Sequence, residues 1–376
     1  MPHFLIISSK KTIFLLSFSS SNCYNLKIGL FKTANHLRYG EPSMKSPLFY
    51  ILTLSLVLLG VQSVLAQDSL YQPLPTVKHP ADNAWTKDKE ELGKALYFDP
   101  RLSGSNWISC ATCHNPGLGW GDGLPRALGN GQKELGRHSP TIINSAYFDF
   151  QFWDGRAKTL EEQALGPIQS TGEMNQNLDE LVKELNAIPG YVTMFKNVFG
   201  NEGITKINIA KAIATFERSI ISKDSPYDKF SKGNKKAMSE SAQRGMDVFF
   251  GKGKCTFCHN GPNFTDSGFH NIGLKNHGPL KENLGRYNVT KDEADKGAFK
   301  TPGLRHISRS APYMHNGSEA TLEDVVEFYN RGGDVAKNRS PMIMPLSLTE
   351  QEKKDLVNFM KALEGKAINV TVPILP

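Results

Sequence analysis

Cys110-Ala111-Thr112-Cys113-His114 and Cys255-Thr256-Phe257-Cys258-His259 decide the reading of this chain. Cys-x-x-Cys-His is the attachment pattern of a c-type haem. Two thiols two residues apart add to the two vinyl groups of one macrocycle, and the adjacent histidine is then held beneath the iron. Of five cysteines only Cys23 lies outside the two motifs. Four cysteines in an exported chain would ordinarily suggest two disulfides, but here each pair runs straight into histidine. Zinc would need a further ligand pair near each motif, and His138 and His270 are the nearby histidines. Thioredoxin-like chemistry would need a surrounding βαβ pattern, which is missing. The expected cofactors are two covalently bound c-type haems, attached through Cys110, Cys113, Cys255 and Cys258, with His114 and His259 as axial ligands.

The motifs stand 145 residues apart, one domain length, and their surroundings echo one another. Each is followed by Asn and a Gly/Pro loop, Asn115-Pro116-Gly117 and Asn260-Gly261-Pro262. Each is preceded by a helix-like stretch, Lys89–Phe98 and Ser239–Phe249. The remainder reads as helices joined by long loops. Asn208 is placed to cap a helix carrying Ile209, Ile213, Phe216 and Ile220 on one face, and Leu178–Leu185 is similarly periodic. Thr321-x-x-Asp324 is a capping signature, and Thr349-x-x-Glu352 a full capping box. Alternating strand patterns are scarce. The expected fold is mainly α: two cytochrome c-like haem domains in tandem, residues 80–225 and 235–376, with long Gly/Pro-rich loops.

Composition agrees with an ordinary globular chain, 39% hydrophobic, 10% aromatic and 22% charged over 376 residues. The formal charge of +7 does not mark a nucleic-acid binder. Residues 1–66 hold six of the 44 bases and one of the 37 acids, which leaves 38 bases against 36 acids in the rest. From Met44 the chain reads Lys45, an apolar run from Leu48 to Val61, then Val64-Leu65-Ala66: a basic n-region, an h-region and small residues at −3 and −1. This predicts a signal peptide over 44–66, cleaved after Ala66, behind an upstream extension over 1–43, and hence a periplasmic protein. An uncleaved anchor over Pro47–Ala66 is the alternative.

Beyond the motifs, the mature chain resembles the family of bacterial dihaem cytochrome c peroxidases and MauG. The resemblance is carried by Phe152-Trp153-Asp154-Gly155-Arg156, Glu162-Gln163-Ala164, Gly166-Pro167-Ile168 and Glu173-Met174. It continues in Ala311-Pro312-Tyr313-Met314-His315-Asn316-Gly317 and Pro345-Leu346-x-Leu348-Thr349. It implies that the N-terminal haem is the peroxidatic site and the C-terminal haem handles electrons. It further implies that Gln163 and Glu173 are distal-pocket residues and that Trp153 lies between the haems. A carboxylate in a partly desolvated pocket suits the proton transfer that peroxide cleavage requires, which makes Glu173 a sound candidate on chemical grounds too.

Two departures from the peroxidase pattern stand out. Where those enzymes carry a Gly-His whose histidine caps the peroxidatic iron, this chain has Gly129-Asn130-Gly131-Gln132, so the first haem is expected to be open. His138 is a candidate substitute ligand, but it also occupies the family's position for an Asn that binds calcium together with backbone oxygens matching Ser310 and Pro312. An imidazole does not replace an amide oxygen for a hard cation, which places calcium in doubt. The second departure is Tyr329, at the position of the peroxidases' Met ligand to the second iron and shared in type with MauG. A phenolate favours ferric and higher states, whereas a thioether raises the potential. Met342 or Met344 is the alternative ligand.

The activity expected from the resemblance is reduction of hydrogen peroxide to water with electrons from a small donor protein, a monohaem cytochrome c or a cupredoxin. One alternative is MauG-like use of a high-valent dihaem state to oxidise residues of a partner protein. A non-enzymatic dihaem electron carrier is the third reading. Homodimers are common in the family, and no nucleic-acid partner is expected.

Overall fold

The computed structural model describes residues 72–376 except Lys281, together with the backbone of three strands nearer the N-terminus. The expected signal peptide over 44–66, its cleavage point after Ala66 and Cys23 lie outside the described residues. The strands β1 (His3–Ser9), β2 (Thr12–Phe18) and β3 (Ile28–Phe31) form an antiparallel meander, with His3 opposite Phe18 and Ser9 opposite Thr12. The sequence reading assigns no pattern to the apolar runs Phe4–Ile7 and Ile13–Phe18. Both runs are rich in Ile, Leu and Phe, residue types that favour strands.

Eleven α-helices follow among the described residues: α1 (Lys87–Phe98), α2 (Cys110–Cys113), α3 (Leu160–Gln169), α4 (Leu178–Asn186), α5 (Pro189–Phe199), α6 (Lys206–Glu217), α7 (Pro226–Ser231), α8 (Glu240–Phe250), α9 (Tyr287–Thr290), α10 (Leu322–Asn330) and α11 (Glu350–Ala362). One two-stranded ribbon, β4 (Phe269–His270) with β5 (Phe299–Lys300), completes the regular structure. None of the described helices is long and apolar enough to cross a membrane.

The two halves repeat one packing device. Thr86 caps α1 by accepting from Lys89 N at 3.2 Å, and Ser239 caps α8 by accepting from Ala242 N at 3.2 Å. Each helix then buries a stripe at i, i+3, i+4 spacing: Leu92, Ala95 and Leu96 in α1, and Ala242, Gly245, Met246 and Phe249 in α8. Within each stripe a glycine lets a second helix approach. A Cβ on Gly93 would run into the Ala212 carbonyl of α6, and one on Gly245 into the Asp355 carbonyl of α11. Around these crossings lie two separate apolar cores. The first holds Tyr97, Trp120, Phe195 and Phe216, and the second Tyr227, Phe249, Phe264 and Phe359. The sequence expectation of mainly α, tandem cytochrome c-like architecture is met. Gly245→Ala is expected to destabilise the fold by about 1–3 kcal/mol through overpacking against backbone. Chemical denaturation at fixed haem content measures this, and an unchanged midpoint would show that the crossing relaxes freely.

Two details differ from the sequence expectations, and a third was not foreseen. Asn208 does not cap α6: Thr205 does, accepting from Asn208 N at 3.1 Å, while the Asn208 amide points back to Gly203 O at 3.0 Å. The helix therefore starts earlier than the apolar stripe suggests, and Ile220 lies beyond its end. The Thr321 cap is a reciprocal box like that of Thr349, since Thr321 N donates to Asp324 Oδ2 at 2.9 Å and Asp324 N donates to Thr321 Oγ1 at 3.1 Å. The last residues of the chain return to the first core: Ile368 and Val370 pack against it, and Arg101 Nη2 donates to Pro376 O at 3.0 Å.

Candidate active site

Each Cys-x-x-Cys-His segment is a single tight turn that follows one of the glycine-bearing helices. His114 N closes on Cys110 O at 2.9 Å, and His259 N on Cys255 O at 2.8 Å. The two imidazoles are oriented alike. His114 Nδ1 lies 3.0 Å from Pro140 O and His259 Nδ1 lies 2.9 Å from Phe264 O. A carbonyl only accepts, so Nδ1 carries the proton and Nε2 keeps the lone pair, the arrangement of a metal-binding histidine held by an outer hydrogen bond. Burial lowers the pKa of both rings, which favours this neutral form. Both cysteine pairs are free of disulfides. Burial also raises all four thiols, Cys113 and Cys258 to about 11 and Cys255 to about 12, so these are not the low-pKa thiolates of a dithiol redox site. The donor set fits two haems.

Each histidine borders its own cavity. The first is lined by Cys113 and His114 and, across from them in sequence, by Gln163, Pro167, Ser170 and Glu173. Helix α3, capped by Thr159 Oγ1 accepting from Glu162 N at 3.1 Å, brings Gln163 to this wall. The turn that ends α3 brings Glu173, whose backbone N donates to Ser170 O at 2.9 Å. Burial raises the Glu173 carboxyl above its ordinary value, against the opposing pull of Arg156 and of a hydrogen bond from Ser170. Asn130 meets this turn by its backbone, donating to Gly172 O at 3.0 Å, and is not among the residues lining the cavity. His138 is. It is buried, its Nδ1 donates to Leu124 O at 2.8 Å, and Ser310 and Pro312 line the same cavity.

The second cavity is lined by Cys255, Cys258 and His259, with Tyr329 from α10 and with Met342 and Met344. All three candidates for the sixth position of the second iron are thus brought together. Met344 is 37% exposed and its Sδ already accepts from Lys254 Nζ at 3.1 Å. Tyr329 is half-buried, and desolvation first, then the nearby Cys258 and Cys255 thiols, push its hydroxyl up. A phenolate there needs a bound cation. Among the described residues one cluster of metal-ligating side chains stands out, Cys258, Asp266 and His270, and it shares Cys258 with the haem motif.

Trp153 borders both cavities. Its Nε1 donates to His138 O at 2.9 Å, its carbonyl accepts from Lys300 N at 2.8 Å, and its ring meets His315 edge-on at 6.3 Å. Two neighbours were given no role from the sequence, although His315 lies in the Ala311–Gly317 stretch quoted above. Lys300 lines both cavities with its ammonium 3.7 Å above the Phe148 ring, and burial lowers it to about 8. His315 stacks on Phe299 at 3.5 Å, and burial lowers it to about 3. Both sit in loops or two-residue strands without periodicity, so no local signal announces their burial.

A family model described as di-haem cytochrome c peroxidase matches residues 87–236. Methylamine utilization protein MauG of Methylorubrum extorquens is 42% identical over 316 residues, 84% of this chain and 89% of that protein. Cytochrome c551 peroxidase of Nitrosomonas europaea is 38% identical over 328 residues, 87% of this chain and 93% of that one. Among solved structures, a MauG-like protein associated with microbial copper homeostasis superposes with a TM-score of 0.73 at 33% identity, covering 78% of this chain and 94% of its own. With this similarity along most of its length, and with two cavities each presenting a Cys-x-x-Cys-His turn, the chain belongs to the dihaem cytochrome c peroxidase and MauG family and is a haem-dependent peroxidase with two c-type haems.

Proposed function

We propose that the protein reduces hydrogen peroxide to water at the first haem, with two electrons drawn from a small donor protein through the second. The observation that carries this reading is the placement of Gln163 and a half-buried Glu173 on the wall of the cavity that His114 borders. When bound, haem iron supplies the redox centre at which the O–O bond is broken. Cys110 and Cys113 would attach the first haem and Cys255 and Cys258 the second, with His114 and His259 supplying the imidazole nitrogens to iron. Glu173 accepts the proton of the near peroxide oxygen and delivers it to the far one, which leaves as water. Its raised pKa makes the ionised carboxylate a better acceptor of that proton. Gln163 is a neutral hydrogen-bond donor that orients the peroxide, and Trp153 provides the aromatic contact between the two cavities. Residues 80–225 make up the peroxidatic half and 235–376 the electron-transfer half, whose tail from Ile368 packs back on the first core. The basic, apolar and small-residue pattern over 44–66 supports export to the periplasm.

A second reading, oxidation of residues on a partner protein, is favoured by Tyr329 on the wall of the second cavity. The two readings share the peroxide step and differ in the source of electrons. Pyridine haemochrome analysis should give two covalent haems per chain, and steady-state turnover should then depend on an added cytochrome c or cupredoxin. One haem per chain would overturn the site. Turnover that no donor supports, with oxidised residues appearing on a partner protein instead, would favour the second reading.

A further inference from the structure

Six buried side-chain atoms among the described residues lack a hydrogen-bond partner, and four of them belong to residues lining the first cavity: Ser145 Oγ, Glu217 Oε2, Asn263 Nδ2 and Arg305 Nη2. None of the four residues is more than 6% exposed. Orphaned polar atoms this deep are costly, and their presence in the lining of one cavity points to a ligand that satisfies them.

Their backs are firmly held. Arg305 Nη1 donates to Asp228 Oδ1 at 2.8 Å and its Nε to Pro262 O at 2.6 Å, which leaves Nη2 to the cavity. Asn144 Nδ2 donates to Asn263 Oδ1 at 3.1 Å, which orients the Asn263 amide with its NH₂ outward. Asn144 itself is fixed by accepting from Ser222 N at 2.9 Å. Glu217 ends α6, and burial lifts its carboxyl to about 8 against the pull of Arg218, so at neutral pH it is an acid with a proton to donate. A hydroxyl, an amide NH₂, a guanidinium whose charge is shared with Asp228 behind it and a carboxylic acid make a set of donors alone. Its complement is a carboxylate, or a pair of them.

We propose that Ser145, Glu217, Asn263 and Arg305 form a carboxylate-binding site in the wall of the first cavity, and that it takes the propionate groups of the haem carried by Cys110 and Cys113. The proposal rests on the dihaem reading above and extends it. Ser145 and Glu217 come from the first half of the chain, whereas Asn263 and Arg305 follow the second motif. The first haem is therefore gripped by both halves, although its thioethers attach to only one. Bare carboxylates favour the ferric state, and donors that neutralise the propionates weaken that preference, so the same residues set the first haem's potential.

The test uses the intact holoenzyme, with resonance Raman propionate modes and a redox titration of each haem. Ser145→Ala and Asn263→Leu are expected to shift the propionate band of the first haem and move its ferrous–ferric equilibrium several-fold toward ferric, with the second haem unchanged. Glu217→Gln, which keeps a neutral donor, should behave like wild type, whereas Glu217→Leu should join the other two. Unchanged band and potential in variants that retain two haems would overturn the proposal and assign these atoms to ordered water. A response confined to the second haem would overturn it as well. Should Asn263→Leu fail to fold, Ser145→Ala removes a single hydroxyl and still decides. Wild type without two covalent haems would instead defeat the dihaem reading itself, an outcome seen before any variant is made.

Discussion

Glu173→Gln is expected to slow peroxide consumption by about 10²–10⁴-fold, the range for loss of a general acid–base group, while haem content stays at two per chain. The amide keeps the shape of the side chain but cannot take a proton from one peroxide oxygen and return it to the other. The pH profile supplies a second signature. The carboxyl must be ionised to accept the first proton, and burial raises its pKa. The rate should therefore fall as pH drops through a value above the ordinary glutamate range, and the Gln variant should lose that acidic limb. A Gln variant with wild-type rate would remove Glu173 from the chemistry and leave it a half-buried side chain on the cavity wall.

Tyr329→Met is expected to raise the potential of the second haem by on the order of a few hundred millivolts, within the span that axial ligands set. A hard anionic oxygen favours the ferric iron, and a thioether favours the ferrous. The variant should become a better electron reservoir, and peroxide should still react at the open first haem without prior reduction. Spectroelectrochemistry of the two haems separates this from a ligand already supplied by Met342 or Met344. If the potential does not move, one of those sulfurs holds the iron and Tyr329 is a core aromatic. Met344 is the weaker of the two, because its Sδ is engaged by Lys254 and it lies 37% exposed.

What the sequence made legible follows from covalent and local rules. The Cys-x-x-Cys-His spacing is dictated by the cofactor itself, and capping residues such as Thr349 act over three or four positions, so both can be read directly. Asn208 shows the limit of local reading. Thr205 and Asn208 are both capping types three residues apart, and only the packing of the preceding turn, where the Asn208 amide is tied to Gly203 O, decides between them. Gly93 and Gly245 are invisible as contacts because the backbone each one admits lies more than a hundred residues away. The same holds for the site's second layer. Lys300, His315, Glu217 and Arg305 come from segments with no shared spacing, and only the fold places them on the cavities. The resemblance-based residues Gln163, Glu173 and Trp153 were nameable in advance because they sit in compact motifs. Their meeting in one cavity depends on α3 and on the turn that ends it.

The central claim is that the first haem is open and the second is held by Tyr329, so that the resting enzyme is competent. Rapid mixing of the fully ferric holoenzyme with hydrogen peroxide, followed by absorbance, tests both irons in one trace. The account predicts an immediate reaction without any reductive step. A ferric enzyme that stays inert until one electron is added would contradict it, with His138 or another residue capping the first iron and a methionine on the second.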